Sequence, residues 1–131
     1  MKVLALDYGA ARTGVAVSDP TGTIARPLCV VERAATPAGL KQLSELIERE
    51  HADRVVVGMP LTMRGERGEQ ARETELFVAA LQDATGRPVE TYDERFTTDL
   101  AAQTPSSAPE DARAAAHLLS SYLAWSSGVG A

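Results

Sequence analysis

The stretch KVLALDYGAARTGVAVSD, residues 2–19, constrains the fold more than any other part of the chain. Its first half is apolar without polar alternation, the pattern of a strand covered on both faces. A short glycine-containing turn leads into a second apolar run, GVAVSD, so the two halves read as a hairpin. A chain that opens this way must build a sheet with layers on both sides. The first strand also ends on a carboxylate, Asp7, and burying an acid is costly unless something compensates for its lost hydration. Two readings are open. Asp7 either accepts backbone N–H bonds from the YGAARTG turn or is kept for a cation.

The remaining segments supply the layers. TIARPLCVVER reads as a third strand, with Pro27 favouring a sheet edge or a bulge. Thr36 followed by Pro37 marks a helix start, after which Leu40, Leu43 and Ile47 share one face. DRVVVGMP is a buried strand ended by Gly58 and Pro60. Residues 69–85 are helical, with Phe77, Ala80, Leu81 and Ala84 expected inward and Gly86 as the stop. PVETYDER is a fifth strand, and a last helix over 108–125 carries Ala115, Leu118 and Tyr122 on one stripe. The order β-β-β-α-β-α-β-α begins with antiparallel strands and finishes with parallel crossovers. The expected fold is therefore α/β, a five-stranded mixed sheet flanked by helices, and it resembles the ribonuclease H-like arrangement. At 131 residues and 44% hydrophobic content, a single domain over 1–131 is expected. In such sheets ligands sit beyond the carboxyl ends of the parallel strands, where Asp7, Asp93 and Glu94 stand.

Composition removes several function classes. Cys29 is the one cysteine, which excludes an internal disulfide and suits a small buried hydrophobe. The opening residues do not read as a signal peptide, and no apolar stretch approaches the roughly 20 residues of a membrane span, so a cytoplasmic protein with no membrane partner is expected. The formal net charge of −5 argues against a simple basic nucleic-acid binder. Placement matters more than the sum, however. Arg64, Arg67 and Arg72 cluster in one glycine-rich stretch, and the arginine fork suits phosphate.

Acids from three separate segments follow. Adjacent carboxylates on an extended strand point to opposite sides, so YDERFTT should direct one of Asp93 and Glu94 to a site. Glu94 is favoured for its reach, with Asp93 holding the turn or serving as an additional metal ligand. Arg95 either pairs with one of these acids or binds phosphate, and an ordinary solvent-facing ion pair is the plain alternative. If the fifth strand lies two places from the first, Glu94 must bridge about 10 Å. SAPE at 107–110 fits a capping box with Ser107 as N-cap. That leaves Asp111 in the first helical turn on the stripe facing the sheet, either as a ligand or in simple interaction with the helix dipole. Asp19 in its DPTG context is a turn residue. His117 is expected offset from the inward stripe and His51 ends a helix, so neither is expected as a ligand. Three acids without a Cys or His cluster suit a hard cation, Mg2+ or Mn2+, and two such ions about 4 Å apart can hydrolyse a phosphodiester.

Taken in order, ALDYGAARTGVAVSD, VVVGMPLTMRGERGEQA, TYDERFTT and EDARAAAHLLSSYL resemble the characteristic blocks of the YqgF family, also described as Holliday junction resolvase-like or candidate pre-16S rRNA nucleases. The resemblance covers nearly the whole chain. It implies a ribonuclease H-like fold, catalytic and metal-binding acids at Asp7, Glu94 and Asp111, and a role in maturing the 5′ end of small-subunit ribosomal RNA. It also implies that the loop with Arg64 and Arg67 faces nucleic acid, and Arg12, Arg72 and Arg95 are the other arginines assigned to that surface. One departure stands out: the family usually has a longer basic loop before Asp111, whereas DLAAQTPSSAPE carries no positive charge. The substrate expected is precursor ribosomal RNA. Resolution of branched DNA is the near alternative and calls for a homodimer rather than a monomer to match a junction's two-fold symmetry. Two other readings are a non-catalytic RNA-binding assembly module and, from the DYGAARTG turn, a relative of actin-like ATPases, which close two such domains on a nucleotide.

Overall fold

The computed structural model describes residues 1–62, 64–97 and 108–126. Strands β1 (Val3–Asp7), β2 (Arg12–Ser18) and β3 (Ala25–Glu32) precede helix α1 (Pro37–Arg49), then β4 (Arg54–Met59), α2 (Glu69–Thr85), β5 (Val89–Asp93), a 3₁₀ turn at Glu94–Phe96 and α3 (Glu110–Ser126). The five strands form one sheet in the order β3-β2-β1-β4-β5. β2 is antiparallel to both β1 and β3, while β4 is parallel to both β1 and β5. The opening apolar run is thus the central strand, as its lack of alternation requires.

Strand periodicity then divides the core in two. Leu4, Leu6, Val55 and Val57 face one layer with Leu43, Ile47, Phe77 and Leu81 of α1 and α2. Val3, Ala5, Val56 and Tyr92 face the other with Ala115, Leu118 and Tyr122 of α3. Burying a side chain of this size is worth roughly 1.5–3 kcal/mol, so both layers are well provided with driving force.

Local chemistry explains the boundaries. The Thr36 hydroxyl accepts the Gly39 N–H at 3.2 Å and caps α1, while Gly86, at φ +68°, ends α2 in a left-handed conformation. β3 is an edge strand, and its register slips where Val15 pairs with Cys29 but Ala16 pairs with Pro27. Pro27 therefore sits at both an edge and a bulge. Two expectations are corrected. Gly58 does not end β4, which runs on through Met59. Ala84 is exposed, because the buried stripe of α2 runs through Ala71, Thr74, Phe77 and Val78 and stops at Leu81.

The first turn of α3 lies directly on β2. A Cβ at Gly14 would come within 1.8 Å of the Asp111 carbonyl oxygen, so glycine is what permits the approach. The Ser107 cap and residues 99–107 of the uncharged segment fall outside the described residues. Among the described residues no helix is long and apolar enough to cross a membrane.

Candidate active site

Asp7 continues the odd-numbered side of β1, after Val3 and Ala5, and so faces the α3 layer. Tyr92 faces the same layer from β5, and Glu94 is in phase with it. The chain does not simply continue as a strand, however. Asp93 accepts the Arg95 backbone N–H at 2.9 Å and binds its guanidinium, Nε at 2.9 Å and Nη2 at 2.6 Å, which folds Glu94–Phe96 into a 3₁₀ turn. Glu94 then lies across the end of β4 above Gly58, where a Cβ would sit 2.5 Å from its Oε1 and 2.9 Å from its Cγ. This closes the interstrand gap, and a hydrogen bond joins the Asp7 and Glu94 carboxyl groups.

Electrostatics follow from that contact. Burial pushes the Glu94 carboxyl up to about 7, and the Asp7 charge adds to the shift. Asp7 is raised as well, chiefly by burial and further by the charge of Asp111, against the opposing effect of the hydrogen bond from Glu94. Two desolvated carboxyl groups this close hold one proton between them rather than two charges. The alternative in which Asp7 caps its own turn is not what forms. The Thr13 hydroxyl instead bridges the turn, 3.3 Å from the Gly9 carbonyl oxygen to which it donates.

The other sequence candidates are distributed around this pair. Asp111 acts on Asp7 through its charge, but its carboxylate is paired with Arg12 Nε at 3.1 Å. Among the described residues no three His, Cys, Asp or Glu side chains form a group able to hold a metal ion. Of the three acids expected as ligands, Asp7 and Glu94 meet directly, while Asp111 lies near enough to act on Asp7 and pairs with Arg12. Asp93 is committed to Arg95 and to the turn. Arg64 and Arg72 are exposed and, among the described residues, make no ion pair, while Arg67 Nε pairs with Glu75 at 3.3 Å. Arg95 also packs against Gly65 of the arginine loop, 3.2 Å from where a Cβ would be. Asp19 is a turn residue, accepting the backbone N–H groups of Thr23 and Ile24 at 2.7 and 2.9 Å.

Asp7 and Glu94 line a cavity of about 580 Å³ together with Thr97, Glu110, Arg113 and His117. His117, expected off the site, is buried in this wall. Sequence reading missed Gly58, Thr97, Glu110 and Arg113 too. One signal was available: 110, 113 and 117 are spaced three and four apart and so share a helix face beside that of Asp111. The paired carboxyl groups fit a hard divalent cation, since they are oxygen donors whose desolvation a cation would offset.

Residues 1–125 match the profile of the RuvX family, described as Holliday junction resolvase. A candidate pre-16S rRNA nuclease of Chloroflexus aurantiacus is 45% identical over 101 residues, 77% of this chain and 66% of the relative, so the match spans just under two thirds of that protein. One from Syntrophomonas wolfei is 35% identical and is covered over 94% of both chains. Among solved structures, T. thermophilus RuvC in complex with a Holliday junction substrate aligns with a TM-score of 0.66 over 98% of this chain and 96% of that one, at 18% identity. Fowlpox virus resolvase with Holliday junction DNA aligns with a TM-score of 0.53 over 99% and 98%, at 13% identity. At such identities the likeness carries the fold, which is ribonuclease H-like.

Proposed function

Because the chain belongs to the RuvX family, we propose that residues 1–131 act in the cytoplasm as one divalent-metal-dependent nuclease domain that hydrolyses phosphodiester bonds of structured RNA, at the 5′ end of the small-subunit ribosomal RNA precursor. The observation that carries the reading is the hydrogen-bonded pair of buried carboxyl groups, Asp7 and Glu94, set in a cavity at the carboxyl end of the parallel strands. The names of its curated relatives favour RNA as substrate.

Asp7 and Glu94, with Asp111 beside them, would hold Mg2+ or Mn2+. Such an ion, when bound, polarises the phosphoryl group and lowers the pKa of water. The chain's own contribution is positioning. β1 and the Asp93-held turn bring the two carboxyl groups together, and α3 forms the other side of the cavity they line. Exposed Arg64 and Arg72, with Arg67 and Arg12, make the surface on which phosphates rest, giving affinity without base selection.

The test is cleavage of labelled precursor ribosomal RNA fragments and of four-way DNA junctions with Mn2+, Mg2+ or EDTA, comparing the wild type with Asp7→Asn. RNA cleavage that needs metal and vanishes in the variant is the expected result. Preferential cutting of junctions by a dimer would move the assignment to the family's resolvase description. A folded wild type that binds RNA but cuts nothing with any metal would leave a non-catalytic assembly module.

A further inference from the structure

Most side chains around the acid pair are already accounted for: Asp93 holds Arg95, Arg12 holds Asp111, and Glu94 bonds Asp7. Two polar atoms in the cavity wall are not. Thr97 Oγ1 and Arg113 Nε are both buried and, among the described residues, without a hydrogen-bond partner, and the two residues come from different elements, the end of the 3₁₀ turn and the first turn of α3. A buried donor left unpaired is costly, and two such side chains lining one cavity point to a group that pairs with them once the cavity is filled and its wall adjusts. The group has to be an anion or a strong acceptor. Arginine offers donors only, and Arg113 is the one permanently charged cation among the described residues lining the cavity.

The backbone at Arg113 is held in place by its neighbours. Its backbone N–H donates to the Pro109 carbonyl at 3.0 Å, and the same helical turn is seated against β2 at Gly14. The same cavity is lined by the acids Asp7 and Glu94 and by Glu110 on the helix face of Arg113, so a phosphate entering it requires a fixed counter-charge. The volume of about 580 Å³ is ample for a phosphodiester group and part of a nucleoside.

We propose that Arg113, assisted by the Thr97 hydroxyl, seats the scissile phosphate of the nucleic acid against the Asp7–Glu94 pair, its guanidinium bonding non-bridging phosphate oxygens. The proposal rests on the nuclease reading given above. Arg113 thereby differs from the exposed arginines of the 64–72 stretch. Those act on affinity along the strand, whereas Arg113 contacts the group at which charge builds up in the transition state.

Arg113→Gln and Arg113→Lys test it, each first verified as folded by circular dichroism and thermal melting. With the precursor RNA fragment and Mn2+, Arg113→Gln should lower kcat by about 100-fold or more with a smaller change in KM. Arg113→Lys should fall in between, because it keeps the charge and loses the fork. Free guanidinium at a non-denaturing concentration should restore part of the Gln variant's rate, a response that a merely structural arginine would not give. In parallel, RNA binding without metal is measured against salt, where loss of one phosphate contact should reduce the slope of log K on log salt by about 0.7–0.9. If the wild type cleaves and Arg113→Gln cleaves equally well, this inference is wrong and the nuclease assignment stands. If the wild type cleaves nothing, that assignment fails and the salt slope decides: a reduced slope upholds Arg113 as a phosphate contact, and an unchanged one overturns it.

Discussion

At Glu94 a carboxyl group that ionises near 4.5 in an open chain is pushed up to about 7 in the fold. Between those values the native protein holds a proton that the unfolded chain has released. The stabilising contribution is therefore complete at low pH and is lost as pH rises through about 7. In EDTA, urea denaturation should show lower stability at pH 8 than at pH 5, by on the order of 1–2 kcal/mol after allowance for screening at the open cavity. Asp7→Asn removes the competing charge and should flatten the dependence, whereas Mn2+ should reverse it by taking the proton's place. The Arg12–Asp111 pair is a different case. With side chains 66% and 41% exposed, it should be worth no more than about 1 kcal/mol, and Arg12→Ala should leave the melting temperature nearly unchanged while weakening RNA binding. That Asp7 ends a buried strand was legible from residues 2–8. Strand parity admitted only one of Asp93 and Glu94 to the site and side-chain reach favoured Glu94, but the direct contact with Asp7 depends on the 3₁₀ turn and on the missing Cβ of Gly58.

Elements meet at two glycines with opposite expected behaviour. At Gly58 the atoms in the way of a Cβ are Oε1 and Cγ of Glu94 and, at 3.0 Å, Leu118 Cδ2, all of them side-chain atoms able to shift. Gly58→Ala should cost about 1 kcal/mol or less in urea denaturation, yet lower nuclease activity by about 100-fold through displacement of Glu94. At Gly14 the obstacle is the α3 backbone itself. Gly14→Ala should cost about 3 kcal/mol or more, because the helix has to lift off β2 to admit the methyl group. Neither glycine announced its role in sequence. Gly58 resembled a strand stop since it lies two residues before Pro60, and only packing showed that it clears a path over β4. Helix starts and stops, by contrast, were readable at Thr36, Pro37 and Gly86, where the cause is a local hydrogen bond or a backbone angle.

Across the whole molecule, the net charge of −5 coexists with arginines gathered on the loop beside the acid pair, so binding should be strongly salt-dependent and carried by few contacts. Arg64→Gln should reduce the salt slope by about 0.7–0.9, and Arg67→Gln by less, since Arg67 already has Glu75. Apolar runs, turn residues and their order were enough to determine five strands, three helices and a mixed sheet, because periodicity and capping act over a few residues and need no knowledge of the rest. The same local logic brought Asp7, Glu94 and Asp111 to one end of the sheet. Which side chains finally meet was decided by the tertiary structure. Arg12 takes the Asp111 carboxylate, Asp93 takes Arg95, and Thr97, Arg113 and His117 line the cavity with the acids. Such pairings compare partners far apart in the chain and settle their competition by burial and distance, quantities that exist only once the layers have packed.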